Sequence, residues 1–306
     1  MNVDDRAALD VLDLRLRTLL PEEYQDSYED VQPAPMRSAG LKFDADGKVA
    51  WDEIWGSFCD LAMAGGPPHK GALLEPGTPD AIAASPERHA VVTDEIRRGI
   101  EMVTELPTGL SPAAGWVRVT CINDTMARWL LRAIVMENVA VQRDFHMLDL
   151  PAAPHFRLEK EIKNVVTVIA KTCHYWLGHT PYAQQQAIGR LLDSMDGESP
   201  AVEPAYPDDA ARGANRALGA RIAGRIQQST GLPPAGSRSD AWTGIECRSD
   251  RAAIWMMRAL VAGNVLARRE RTVLYLPINT ATDPAGDRVT RAVTDVARLA
   301  VSRGLL

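Results

Sequence analysis

WVRVTCINDTMARWLLRAIVMENVAVQRDFHMLDLP, residues 116–151, returns 126 positions later as WTGIECRSDRAAIWMMRALVAGNVLARRERTVLYLP, residues 242–277. Carried back to residues 96 and 222, the two stretches align over 56 positions without a gap, and 20 of those are identical. The identities include Trp116/Trp242, Cys121/Cys247, Asp124/Asp250, Trp129/Trp255, Arg132/Arg258, Asn138/Asn264 and Arg143/Arg269. Solenoid repeats have periods of roughly 20–50 residues, so this period describes a whole supersecondary module present twice. The expected fold is therefore α+β: a tandem duplication with pseudo-two-fold symmetry.

Each copy reads as α-β-α-β-β-α. Val91, Val92, Ile96, Ile100 and Val103 fall at helical spacing, and Leu218, Ile222 and Ile226 occupy the matched face. Pro107 and Pro233 stop these helices because proline cannot continue the hydrogen-bond ladder. The alternation in 116–121 and 242–247 predicts a strand. Asn123 and Ser249 then provide caps for a helix, since their side chains can accept from its free amides. Strands are expected near 138–143 and 145–150, with a final helix at 156–177 and its match at about 284–303. Asn138 and Asn264, just past a helix, suit a left-handed helix stop. Residues 50–64 carry a fainter echo of the final helix. The expected organisation is an N-terminal arm (1–49) bearing one amphipathic helix, a first module (50–195), an acid- and proline-rich linker, and a second module (211–306).

Composition narrows the function. A formal net charge of −6 argues against nucleic acid as the main partner, because such proteins usually display a basic face. No apolar run approaches the roughly 18 residues needed to span a bilayer, and the acidic amphipathic N-terminus is unlike a signal peptide. The 4 cysteines are widely spaced without a CxxC, which suits reduced thiols in a cytoplasm. The pattern is compatible with a homo-oligomer. No spacing points to a cofactor, and none matches an established metal-ligand pattern, so no metal is expected.

Three stretches can carry chemistry. In the loop AGGPPHKG (64–71), paired glycines and prolines hold His69, an acid/base group, beside the cation Lys70. It follows a segment containing Cys59, a thiol nucleophile candidate. On the helix LEKEIKNVVTVIAKTCHYW (158–176), Asn164, Lys171 and His174 lie on one polar stripe. The third is the Trp-Arg pair at i and i+3, Trp129/Arg132 and Trp255/Arg258, where a guanidinium beside an indole could hold a carboxylate or phosphate. The simpler reading is structural, since large aromatics at helical spacing usually serve the core. Since His69 and His174 occur only in the first half, the leading expectation is a cytoplasmic enzyme acting on a small anionic metabolite. His69, His174 and Cys59 would be its reactive groups, and Lys70, Lys171, Asn164 and the Trp-Arg pairs its ligand holders. The alternative is a non-catalytic small-molecule-binding or assembly module that uses the pseudo-symmetric interface.

Overall fold

A computed structural model describes residues 3–27, 40–54, 60–208 and 210–306. The chain is mixed helix and sheet, and it divides into two compact units, residues 21–185 and residues 1–20 with 186–306.

In the 21–185 unit, α2 (Pro79–Ala84) and α3 (Pro86–Thr104) lead into β1 (Thr108–Leu110) and β2 (Trp116–Thr120). Then come α4 (Asp124–Met136), β3 (Gln142–Asp144), β4 (Met147–Pro151) and α5 (Lys163–Gly178), which begins after a π-turn at Leu158–Ile162. α6 (Tyr182–Glu198) follows, and the second unit then runs α7 (Arg212–Thr230), β5 (Pro234–Ala235), β6 (Trp242–Glu246), α8 (Asp250–Ala262), β7 (Arg268–Glu270), β8 (Val273–Pro277) and α9 (Asp287–Ser302). α1 (Val3–Leu19) packs on α8 and α9. Both sheets are antiparallel with equivalent orders, β1-β2-β4-β3 and β5-β6-β8-β7. The registers also correspond at an offset of 126: Trp116 pairs with Pro151 and Trp242 with Pro277.

The local causes are those of a capped amphipathic helix laid on a half-buried sheet. Asn123 accepts from the Met126 amide at 2.8 Å to start α4, and Ser249 accepts from Ala252 at 3.1 Å to start α8. Asn138 (φ 61°) and Asn264 (φ 65°) both adopt the left-handed conformation just past these helices, as asparagine tolerates better than most residues. Ile96, Ile100, Val117, Val119, Leu130, Leu131, Ile134, Leu148 and Leu150 are fully or almost fully buried in one unit, as are Ile222, Ile226, Ile245, Leu260, Leu274 and Leu276 in the other.

The module differs from the expected one in three respects. A short first strand, β1 or β5, precedes each central strand; residues 108–110 and 234–235 are too short to show a period. The strand expected over 138–143 is reduced to 142–144, because the residues before it pair with an upstream strap. The Leu74 amide donates to Asn138 O (2.9 Å) and the Ala140 amide to Leu74 O (2.8 Å). Val202 does the same with Asn264 (2.9 Å) and Leu266 (3.0 Å), so part of the acid- and proline-rich stretch read as a linker is a strap built into the second unit. Finally, the echo at 50–64 is not a helix in its described parts: Trp51–Glu53 and Ala62–Ala64 are single 3-10 turns, the latter ended by Gly65 at φ 101°. Residues 55–59 lie outside the described residues.

One cross-strand position shows how the two sheets differ. Arg118 on β2 donates to both carboxylate oxygens of Asp149 on β4, at 2.8 and 2.9 Å. The matched pair is Gly244 and Tyr275, and the guanidinium there comes from β7 instead. Arg268 lies 4.1 Å from the Tyr275 ring centroid and 5.2 Å from that of Trp242. A cation over aromatic faces replaces an ion pair at the same place in the ladder.

Candidate functional site

In the 21–185 unit the loop carrying His69 is drawn inward by Glu137, the last residue before the left-handed Asn138. Glu137 is wholly buried. Its Oε1 accepts from the Ala62 amide (2.9 Å) and lies 2.8 Å from Lys171 Nζ of α5, while Oε2 accepts from the His69 amide (2.8 Å). Lys171, equally buried, also donates to Asp60 O at 3.3 Å. The Lys70 amide donates to Glu137 O (3.2 Å), and Asn138 Nδ2 donates to Lys70 O (2.8 Å). A buried carboxylate with an ammonium partner and two amide donors meets the condition under which a buried ion pair is tolerated.

His69 is fixed by the same loop. Its Nε2 lies 3.0 Å from Asn164 Oδ1, so with that oxygen accepting, Nε2 carries the proton and Nδ1 is the bare nitrogen. Nδ1 is buried without a hydrogen-bond partner among the described residues. Burial pushes the imidazole pKa down to about 4; Glu137 opposes this, and Lys171 and Lys70 reinforce it. The ring is therefore neutral at pH 7. Between about pH 6.5 and 4 the unfolded chain binds a proton that the folded chain excludes, so stability is complete above that window and lost as pH falls through it. We expect His69 to contribute on the order of 2 kcal/mol of acid destabilisation between pH 7 and 4. Urea denaturation of the native chain and a His69→Gln variant at both pH values measures it; equal pH dependence in the two would show that His69 does not cause the effect.

Of the candidate residues, the structure brings together His69, Lys70, Asn164 and Lys171. It does not bring His174 to them. His174 and Asn164 lie ten positions apart on α5, about 15 Å along the helix axis. Its ring contacts His179 instead, Nε2 to Nε2 at 3.0 Å. Cys59 lies outside the described residues. Trp129 and Arg132 are core residues: Trp129 packs against Trp176 with centroids 5.4 Å apart and the rings tilted by 42°, and Arg132 donates to Arg128 O at 2.9 Å. In the second unit Arg258 is buried, and Arg303 lies over the half-buried Trp255, 5.6 Å from its centroid.

The corresponding place in the second unit is open. Gly263 stands where Glu137 stands, while Arg288, Arg291 and Arg298 on α9 stand where Glu161, Asn164 and Lys171 stand on α5. A cavity of about 670 Å³ occupies the site, with Val11 and Leu12 of α1, Leu260, Val265, Val296 and Leu299 as its apolar wall and the three arginines with Asp295 along one side. Arg298 pairs with Asp5 of α1, and Arg288 bonds Ser199 Oγ (2.7 Å) and Pro200 O. Arg291 is exposed and makes no hydrogen bond or ion pair among the described residues. These arginines were not among the candidates because α9 reads as an ordinary charged-face helix; their significance depends on the missing carboxylate at Gly263.

A second cavity, about 520 Å³, lies between Ser229–Pro233, Glu246–Arg248 and the C-terminal end of α9. No helix among the described residues is long and apolar enough to cross a membrane. No protein-family model matches the chain, and no curated protein or solved structure matches it either.

Proposed function

We propose that the protein is a non-catalytic binding module for a small anionic molecule with an apolar body, held in the cavity between α1, α8 and α9. The observation that carries this reading is Arg291, a guanidinium without a hydrogen bond or ion pair among the described residues, on the rim of a mostly apolar cavity where Gly263 stands at the position of Glu137. The volume is within the usual range of small-molecule pockets, roughly 300–1,000 Å³. Guanidinium is suited to a ligand carboxylate or phosphate because its planar fork can bond both oxygens at once. The reading also fits a tandem duplication: one copy fills the site with its own Glu137, Lys171 and His69, and the other keeps it open. An enzyme acting on the same ligand class would need its acid/base groups in one place, whereas His69 and His174 occupy different ends of α5. Three free, buried cysteines (Cys121, Cys173 and Cys247) support a reducing, cytoplasmic setting.

Calorimetry with dodecanoate as the probe tests the proposal. The intact chain is expected to bind one dodecanoate, and Arg291→Ala to weaken it about 10- to 100-fold, the span of one charge-assisted hydrogen bond at a partly dry site. Gly263→Glu, which places a carboxylate against the arginines, should abolish binding. Equal affinity for dodecanol, or unchanged binding in both variants, would refute an arginine-held anion.

A further inference from the structure

At the far end of α5 a second cluster has no part in the cavity. His174 lies in the last turns of α5, His179 is its C-cap, and Glu23 comes from the 3-10 turn Glu22–Tyr24. His179 Nδ1 lies 2.7 Å from Glu23 Oε2, and its Nε2 lies 3.0 Å from His174 Nε2. The turn is well held: the Glu22 amide donates to His179 O (3.4 Å), and the Tyr24 hydroxyl bonds both Asp60 Oδ1 and the Tyr175 hydroxyl at 2.8 Å.

We propose that His174 and His179 together form a site for a borderline divalent transition-metal ion such as Zn²⁺, each ligating through Nε2, with Glu23 as the outer carboxylate that orients His179. Imidazole nitrogens bound at about 2.0–2.1 Å lie about 3.3 Å apart at a tetrahedral angle and about 2.9 Å apart at a right angle, so the observed separation falls between the two. The rings are also canted. A straight N–H···N contact would set the centroids about 5.3 Å apart, whereas they are 4.8 Å apart with an interplanar angle of 61°. A carboxylate on the remaining ring N–H of a ligating histidine is the recurrent outer-shell arrangement at metal sites; it fixes the tautomer and raises the ligand's basicity. Both imidazoles and the carboxylate are partly solvent-exposed, so an ion can enter. No set of three or more His, Cys, Asp or Glu side chains converges on an ion among the described residues, and water completes the coordination shell.

Bound here, the ion would tie the 22–24 turn to the end of α5 and stabilise the folded chain by mass action. The test is calorimetric titration of Zn²⁺ into the full, EDTA-treated chain, with a thermal melt in parallel and Mg²⁺ as the hard-ion control. One Zn²⁺ per chain is expected, with a raised Tm and no response to Mg²⁺. His174→Ala and His179→Ala should each weaken binding at least 100-fold and cancel the Tm rise, while leaving the melt without Zn²⁺ nearly unchanged. Glu23→Gln should weaken binding about 10- to 100-fold, the usual cost of an outer-shell change. No Zn²⁺ binding by the intact chain would overturn the site, as would undiminished binding in both histidine variants. Native affinity in Glu23→Gln would overturn the role of the carboxylate.

Discussion

Lys171→Met is expected to destabilise the 21–185 unit by about 3–5 kcal/mol, because it leaves the buried Glu137 carboxylate without its cation. Lys171 and Glu137 are both completely inaccessible and lie 2.8 Å apart, so water cannot replace the lost partner without opening the loop. The same carboxylate anchors the Ala62 and His69 amides, so the damage should extend along residues 60–74. Adding Glu137→Met should recover part of the loss, since paired removal of a buried ion pair is often near neutral. Recovery should remain incomplete because the two amides then have no acceptor, each costing about 1–3 kcal/mol. Guanidinium denaturation of the two single variants and the double variant gives the coupling energy. A Lys171→Met loss below about 1 kcal/mol would mean that solvent reaches the pair, contrary to its burial.

The matched tryptophans should behave unequally. Trp129→Ala is expected to cost about 3–5 kcal/mol, the usual range for emptying a large aromatic site in a core. Trp255→Ala should cost about 1 kcal/mol, near the typical value for a substitution that opens no deep cavity. The difference lies in the partner. At the position of Trp176 on α5, the second unit carries Arg303, so a tilted indole pair becomes a guanidinium over a half-buried ring. Chemical denaturation of the two single variants makes the comparison. Equal losses would show that the two sites are packed alike, and would remove the argument that the units have diverged at this contact.

The α+β class, the helix and strand order around residues 116–151 and 242–277, the caps at Asn123 and Ser249 and the left-handed Asn138 and Asn264 were all legible in the residues. Each follows from local chemistry: a side-chain period, a free amide near a short polar side chain, or a backbone conformation that few residues accept. The short β1 and β5 were not legible, since two or three residues define no period. The straps at Leu74 and Val202 were not legible either. Their hydrogen bonds reach residues more than sixty positions away, and nothing local in the strap announces the partner.

The candidate site divides in the same way. Residue type and local pattern marked His69 in a Gly/Pro loop and Asn164 and Lys171 on the polar stripe of a helix with an apolar face. They could not show that Glu137 would turn inward and tie them into a closed cluster, because that depends on the loop and two helices meeting at one point. Nor could they show that Gly263 matters, since the consequence of a missing carboxylate appears only where three arginines of α9 line one side of the cavity beside it. Repetition and local periodicity are properties of the chain itself, so the sequence alone determined the module and its order. Which copy closes over its polar groups and which keeps a cavity was decided by the tertiary structure, because burial and charge balance are set by neighbours distant in sequence.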